Sequence, residues 1–387
     1  GYWAENLNPD FLVREKGYML IVGETEVVPA WDSHGFDICW GIPGESLHCS
    51  KAKNDVYHHD QYYSSRSLPV LRYSEEGWYF VESGPSLAPH LIVGRIIGDS
   101  AAQLENSILT SINVYEGKSG FEYQTAGRAL LASGYGKTTL EKQGFDTNAL
   151  YIGYQLDDND GTADWTVEVL TLTKVSPDVP LHNSIASGIS LLHLTGHGSV
   201  DSWANSALDT ASPPNFNGHS PFVFAASCLT GNYEADDDYN LAESLFDQGV
   251  AVYIGATQVS PVPRNWEMGI WFYKHDWNWD WGEPIGRAFV QLEKDFYDEW
   301  SYWDWYRFWV AEYNYYGDPK FGASNPTSSP DVQNTAMAPM VPMVPTTTLT
   351  VLVPAYVVTT TVDGFDQAEI PGGKMIIEGG LHKIPYW

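Results

Sequence analysis

At 387 residues, 43% of them hydrophobic, the chain is long enough for one large core or two ordinary ones. Its 20 basic residues face 49 acidic ones, a formal net charge of −29. That balance excludes nucleic acid and anionic membranes as partners, since both need clustered Lys and Arg.

The elements follow in chain order. Gly1 stands where a Met or a signal peptide would, so a processed or trimmed chain is expected. Tyr18 to Val22 reads as a buried strand, followed by "GETEVVPAW". Cys39 and Cys49 are near neighbours and the natural pair in an oxidising compartment, which leaves Cys228 free. His58-His59-Asp60 has the look of a metal motif but lacks a third ligand at a telling spacing. His90 to Ile97 is a second strand. Asp99 then caps a helix with Leu104, Ile108, Ile112 and Tyr115 on one stripe. "DDNDGTAD", Asp157 to Asp164, is rich in oxygen ligands, and Asp157, Asp158 and Asp160 are its candidate calcium ligands, although the spacing is not that of an EF-hand. Further strands are read at "VEVLTL" from Val167, "ISLLHLT" from Ile189, "PFVFAAS" from Pro221 and "VAVYIGA" from Val250.

Helical patterns lie between several of these strands, one from Asn240 ended by Gly249, which predicts an α/β domain. Residues 266 to 316 read as helical and aromatic, with a helix start at Glu283-Pro284. The run from Trp271 fits a substrate wall or a sugar platform, but such density more commonly reflects packing. Residues 323–348 are a Pro, Thr and Ser-rich linker, and 349–387 a β-rich tail or the start of a further β-module. The apolar stretch 337 to 358 is broken by Pro339, Pro342, Pro345 and Pro354, so no run spans a bilayer.

The chemistry concentrates in two strand ends. "LLHLTGHGS" stops a buried run on His197, between two glycines, and "FVFAASC" ends 31 residues later on Cys228. Neighbouring parallel strands would deliver both side chains to the carboxyl edge of the sheet, where open α/β sheets place their sites. A thiol needs a base or an imidazolium nearby to act as a nucleophile at neutral pH. The N–H groups of Gly198 and Cys228 are placed to form an oxyanion hole.

These residues resemble the active-site strands of the gingipain-like cysteine peptidases, relatives of caspases, legumain and clostripain. "YMLIVGETEVVPAW", "PHLIVGRIIGDSAAQLENSI", "NLAESLFDQGVAVYIGAT" and "NYYGDPKFG" are similar to further family segments in the same order. The resemblance covers roughly residues 15 to 322 and implies a caspase-like, mostly parallel sheet flanked by helices, within a catalytic domain at 1–322. It implies His197 as general base and acid, Cys228 as nucleophile, and peptide or protein substrates. No cofactor is required for the chemistry, and the family's habit of binding structural calcium raises the expectation at 157–164. Two departures stand out: His90 occupies a position that is often acidic in the family, and Ala101, Ala102 and Gln103 stand where arginine-directed members carry an acidic specificity residue. The strand and helix usually preceding "LLVGD" are mostly absent, which implies either that the chain is cleaved upstream or that the missing piece travels separately as an N-terminal fragment or pro-segment.

The reading is therefore a secreted, extracellular cysteine endopeptidase without membrane insertion. Asp99, Gln103, Val259 and Ser260 are its candidate substrate-binding residues. Asp99 and Asp236 to Asp238 favour a basic residue before the cleaved bond, against an apolar pocket walled near Val259 to Pro263. The rival from another class is a cell-surface adhesion or carbohydrate-binding protein on an inactive peptidase fold. Retention of both His197 and Cys228 speaks against it.

Overall fold

In the computed structural model, the described residues are 17–24, 91–124, 127–156, 165–173, 179–233, 239–260, 264–273, 284–300 and 312–322, with short strands besides between 31 and 81 and between 348 and 376. The strands are β1 (Gly17–Val22), β2 (Trp31–His34), β3 (Ile38–Trp40), β4 (His48–Ser50), β5 (Val56–His59), β6 (Val70–Ser74), β7 (Gly77–Val81), β8 (Leu91–Ile96), β9 (Arg128–Ser133), β10 (Thr166–Thr171), β11 (Leu191–Thr195), β12 (Ser202–Trp203), β13 (Leu208–Asp209), β14 (Phe222–Ala226), β15 (Val252–Ala256) and β16 (Tyr313–Gly317). Four more, β17 (Thr348–Val353), β18 (Tyr356–Thr361), β19 (Gln367–Ile370) and β20 (Gly373–Ile376), lie towards the C-terminus. The described helices are α1 (Ala101–Tyr115), α2 (Thr139–Leu156), α3 (Val179–Ala186), α4 (Leu241–Asp247), α5 (Arg264–Trp271) and α6 (Ile285–Trp300).

One sheet organises the molecule, in the order β1-β8-β16-β15-β14-β11-β9-β10, and β17 and β18 continue it beyond β10. The run β15-β14-β11-β9-β10 is parallel throughout, whereas β16 is antiparallel to β15. β11, β14 and β15 are buried at every position, as strands covered on both faces must be. Their alternate side chains feed two cores. Leu131, Leu191 and Phe224 pack with α2, α5 and α6 on one face, while Leu130, Leu192, Val223 and Tyr253 pack with α3 and α4 on the other. Each such aliphatic side chain contributes about 1.5–3 kcal/mol on burial.

Local chemistry explains most helix ends. Asn240 accepts from the Glu243 N–H, and Glu243 reaches back to the Asn240 N–H, a capping box that starts α4. α1 is capped by Ser100, whose hydroxyl accepts from the Gln103 N–H, rather than by Asp99. The expected stripe of α1 also differs from the buried one. Ser107, Thr110 and Ser111 face inward, and Ile112 is 42% exposed. Small side chains let α1 approach α4 closely, and that geometry outweighs the apolar pattern. β16 lies where the aromatic sequence suggested helix, because Tyr313, Tyr315 and Tyr316 pair with β15 and are buried. The buried Phe272 and Tyr273 are core side chains, and Phe272 packs on Phe222 and Phe224. Among the described residues, no helix is long and apolar enough to cross a membrane.

Candidate active site

Thr195 at the end of β11 pairs with Ala226 at the end of β14. His197 and Cys228 each follow two residues later, so the parallel register delivers both to the same sheet edge. The two turns are packed against each other at Gly198. A Cβ there would stand 2.5 Å from the Cys228 carbonyl oxygen and 2.6 Å from Thr230 Cγ2, so only glycine fits. The segment after His197 folds back on it: the Ala204 N–H donates to the His197 carbonyl at 2.8 Å, and Trp203, fully buried, backs the loop. Among the described residues, no backbone carbonyl accepts from the N–H of Gly198 or of Cys228. Leu229, directly after the thiol, has φ of 58°. That left-handed conformation costs a non-glycine residue about 1–2 kcal/mol, and the Leu229 N–H bond to Gln258 O at 3.0 Å holds it.

His197 is wedged among aromatic rings and one carboxylate. Phe145 meets it edge-on at 5.5 Å between centroids and Tyr135 at 6.5 Å. Glu141 Oε1 lies 3.0 Å from His197 Nε2. Nε2 nevertheless lacks an aligned hydrogen bond, so the contact is a charge contact that strengthens once the ring is protonated. α2 fixes Glu141: its N–H donates to the Thr138 hydroxyl at 3.1 Å, and its Oε2 accepts from the Lys137 N–H. The Thr138-x-x-Glu141 spacing is a sequence signal for a helix start, but nothing in it points to the histidine 56 positions on. Behind the site, buried His193 bonds Thr195 Oγ1 at 3.0 Å and Tyr273 OH at 3.4 Å. Burial lowers its pKa to about 3.

The thiol rests protonated. Cys228 Sγ donates to the Ser260 carbonyl at 3.4 Å. Burial pushes its pKa up to about 11, against the opposing pull of that hydrogen bond. Ser260 is thus brought to the nucleophile, and Val259 beside it is 43% exposed. Asp99 and Gln103 follow β8, a strand three places from β14 in the sheet, roughly 14 Å across at the usual strand spacing.

Asp99 instead gathers with Glu24 and Glu243, one carboxylate oxygen from each lying within 4.8 Å of the others. Glu24 Oε1 accepts from the Gly98 N–H at 2.8 Å, and Glu243 Oε2 takes both Asn240 donors at 2.9 and 2.7 Å. Glu243 Oε1 is buried without a partner. Burial first, then the Glu24 carboxyl, raises Glu243 to about 9. Hard oxygen donors at this spacing fit a calcium ion, whose bonds are about 2.3–2.6 Å. Asp157, Asp158, Asp160, His90 and Asp236 to Asp238 lie outside the described residues, as does the segment 323–347.

The sequence matches the model of peptidase family C25 over residues 12–323. The chain belongs to that family. Among solved structures, it is similar to the Arg-specific cysteine proteinase gingipain R at 15% identity and a TM-score of 0.55, covering 79% of this chain and 63% of that one. It is similar to the complex of Porphyromonas gingivalis RgpB pro- and mature domains at 16% identity and 0.56, covering 84% and 68%. A structure described only as a protease gives 14% and 0.55, covering 93% and 71%. No curated protein matches. The chain thus shares the gingipain fold and spans a little under two thirds of the gingipain R chain.

Proposed function

We propose that this C25 family member is a secreted cysteine endopeptidase. The observation that carries the reading is the register of β11 and β14, which pairs Thr195 with Ala226, two residues before His197 and Cys228 respectively. His197 takes the thiol proton, and the sulfur attacks the scissile carbonyl carbon. The N–H groups of Gly198 and Cys228 hold the oxyanion. The imidazolium then gives its proton to the leaving amine, a thioester forms, and water deprotonated by His197 releases the acid. With Glu141 beside Nε2, Nδ1 is the nitrogen that exchanges protons with sulfur, and Glu141 acts as a positioning residue. Because the thiol rests protonated, its deprotonation belongs to the substrate complex. Incubating the protein, C228A and H197A with a peptide library tests the proposal. Cleavage by the parent and by neither variant supports it, and unchanged cleavage by C228A sinks it.

Glu24, Asp99 and Glu243 would hold a structural calcium ion, tying β1 and the β8–α1 turn to α4. Added calcium should then raise Tm, and E243Q should abolish the gain. No rise in the parent would remove the calcium from this site. An oxidising compartment suits the hairpin β3–β4, whose register sets Cys39 opposite Cys49. Such pairs have Cα atoms about 4.5–5.5 Å apart, inside the range that a disulfide spans. One alkylatable thiol per unreduced chain is expected, and three would exclude the bond. The protein–pro-domain complex of a structural relative supports a separate pro-segment as a partner here.

A further inference from the structure

The loop between β9 and α2 carries a charge that the mechanism does not use. β9 lies next to β11, and Ser133 at its end pairs with Thr195 just as Thr195 pairs with Ala226. The loop after β9 therefore belongs to the same sheet edge as His197 and Cys228. The Gly134 N–H donates to the Thr195 carbonyl at 2.7 Å, and a Cβ on Gly136 would stand 2.3 Å from the Lys142 backbone nitrogen, so the loop is pinned at both ends. Lys142 itself is engaged: its ammonium donates to Ser133 Oγ at 3.1 Å and pairs with Asp146. Lys137 is exposed, and its backbone N–H holds Glu141 Oε2. Among the described residues, no carboxylate pairs with its ammonium.

The order of the strands fixes what lies on either side of the thiol. Across the edge run β15, β14, β11 and β9, and with them Ser260 after β15, Cys228 after β14, His197 after β11 and Lys137 after β9. The leaving amine has to meet His197. The departing part of a substrate therefore lies on the β11 side of the sulfur, and the acyl part on the side of Ser260. Two strand spacings, about 10 Å, separate the ends of β9 and β14. The charge of Lys137 is felt at the sulfur, where it favours the thiolate, whereas that of Glu312 opposes it. Glu312 reaches this edge because β16, which follows it, runs antiparallel to β15, but its side chain is fully buried. Lys137 is open to a substrate.

We propose that Lys137 is a specificity-determining residue on the departing side of the scissile bond, its ammonium donating to a substrate carboxylate. The inference rests on the peptidase reading of His197 and Cys228. The carboxylate comes from an Asp or Glu side chain directly after the cleaved bond, or from the substrate's own C-terminus when a single residue departs. Its oxygens gain a charge-assisted donor, and an amide in the same place brings no charge to meet it. Because the ammonium is exposed, the gain is that of a surface ion pair, about 2- to 5-fold in rate, and salt screens it. The chain's net charge of −29 repels anions in general, so an unpaired ammonium at this edge acts against the overall field.

The experiment has two arms. Reporter peptides with an amidated C-terminus, differing only in Asp, Asn, Glu or Gln after the cleaved bond, are turned over by the protein, Lys137→Met and Lys137→Arg. A further pair ends one residue after that bond, in a free carboxylate or in an amide, which separates C-terminal from side-chain recognition. The parent and K137R should favour acid over amide by about 2- to 5-fold in kcat/KM in at least one set, and K137M should bring the ratio to about 1. Salt at about 1 M, with a screening length of about 3 Å, should level the parent too. An acid preference absent from the parent in both sets, or retained by K137M, would overturn the inference. In the second arm, Cys228 is alkylated by iodoacetate and by iodoacetamide at one alkaline pH. A change in thiol ionisation moves both rates equally, so their ratio reads the attraction for a carboxylate alone. That ratio should fall about 2- to 5-fold in K137M, and an unchanged ratio overturns the inference. Cleavage without acid preference leaves the peptidase reading standing. A parent that cleaves no reporter sinks that reading, and the alkylation ratio still decides on Lys137.

Discussion

Replacing Gly198 by Ala tests how the two catalytic turns are held together. The new methyl would stand 2.5 Å from the Cys228 carbonyl oxygen and 3.2 Å from Ser227 Cβ. The nearest obstacle is backbone, which cannot swing aside as a flexible side chain can. The turns must part by at least about half an ångström to reach even a tight contact. Overpacking of this kind costs about 1–3 kcal/mol, a fall in Tm of roughly 2–5 °C for a domain of this size. Activity should suffer more than stability, because the strain separates base from nucleophile, and misplacement on the 1 Å scale costs about 100-fold. Gly117→Ala is the control. Gly117 has φ of +63° and nothing within 4 Å of a built Cβ, so it should lose about 1–2 kcal/mol from backbone strain alone and keep its kcat/KM. Thermal melts and kcat/KM on the best reporter decide. If G198A matches the parent in both, or loses no more activity than G117A, the packing argument is wrong.

Glu141→Gln should lower kcat about 10- to 100-fold with KM little changed, since the carboxylate touches the imidazole rather than substrate; an effect confined to KM would refute the positioning role. Alkylation of Cys228 in the substrate-free protein should be slow at pH 7 and climb towards pH 11, the thiolate appearing as pH rises through the raised pKa of about 11. A half-point near pH 7 would show a thiolate already formed. His193 has its folded pKa lowered to about 3, so the unfolded chain takes up that proton first. Stability from this residue is intact above about pH 6.5 and falls by about 1.4 kcal/mol per pH unit as pH drops towards 3. Urea midpoints of His193→Asn at pH 7, 6 and 5 should show a shallower acid decline than the parent, and identical slopes would contradict the buried neutral imidazole.

Much of this was written locally. The apolar runs ending on His197 and Cys228 needed only composition and spacing to mark them as buried strands with reactive tips, because fully buried parallel strands read as continuous hydrophobic segments. The turn residues Gly196 and Gly198 and the helix start at Asn240 were legible for the same reason: they satisfy backbone constraints within a few residues. Other features depended on partners distant in sequence. Glu141 reads as an ordinary first-turn acid until α2 docks beside β11 and brings it to His197. Ser107 and Ser111 face inward on α1 because α4 lies close, against the apolar pattern of the helix itself. β16 is a strand because β15 offers it an antiparallel edge, and that reversal carries Glu312 to the catalytic side. The exposure of a carboxylate, and so whether it repels, steers or stays protonated, is a property of everything packed around it. No window of sequence contains that information.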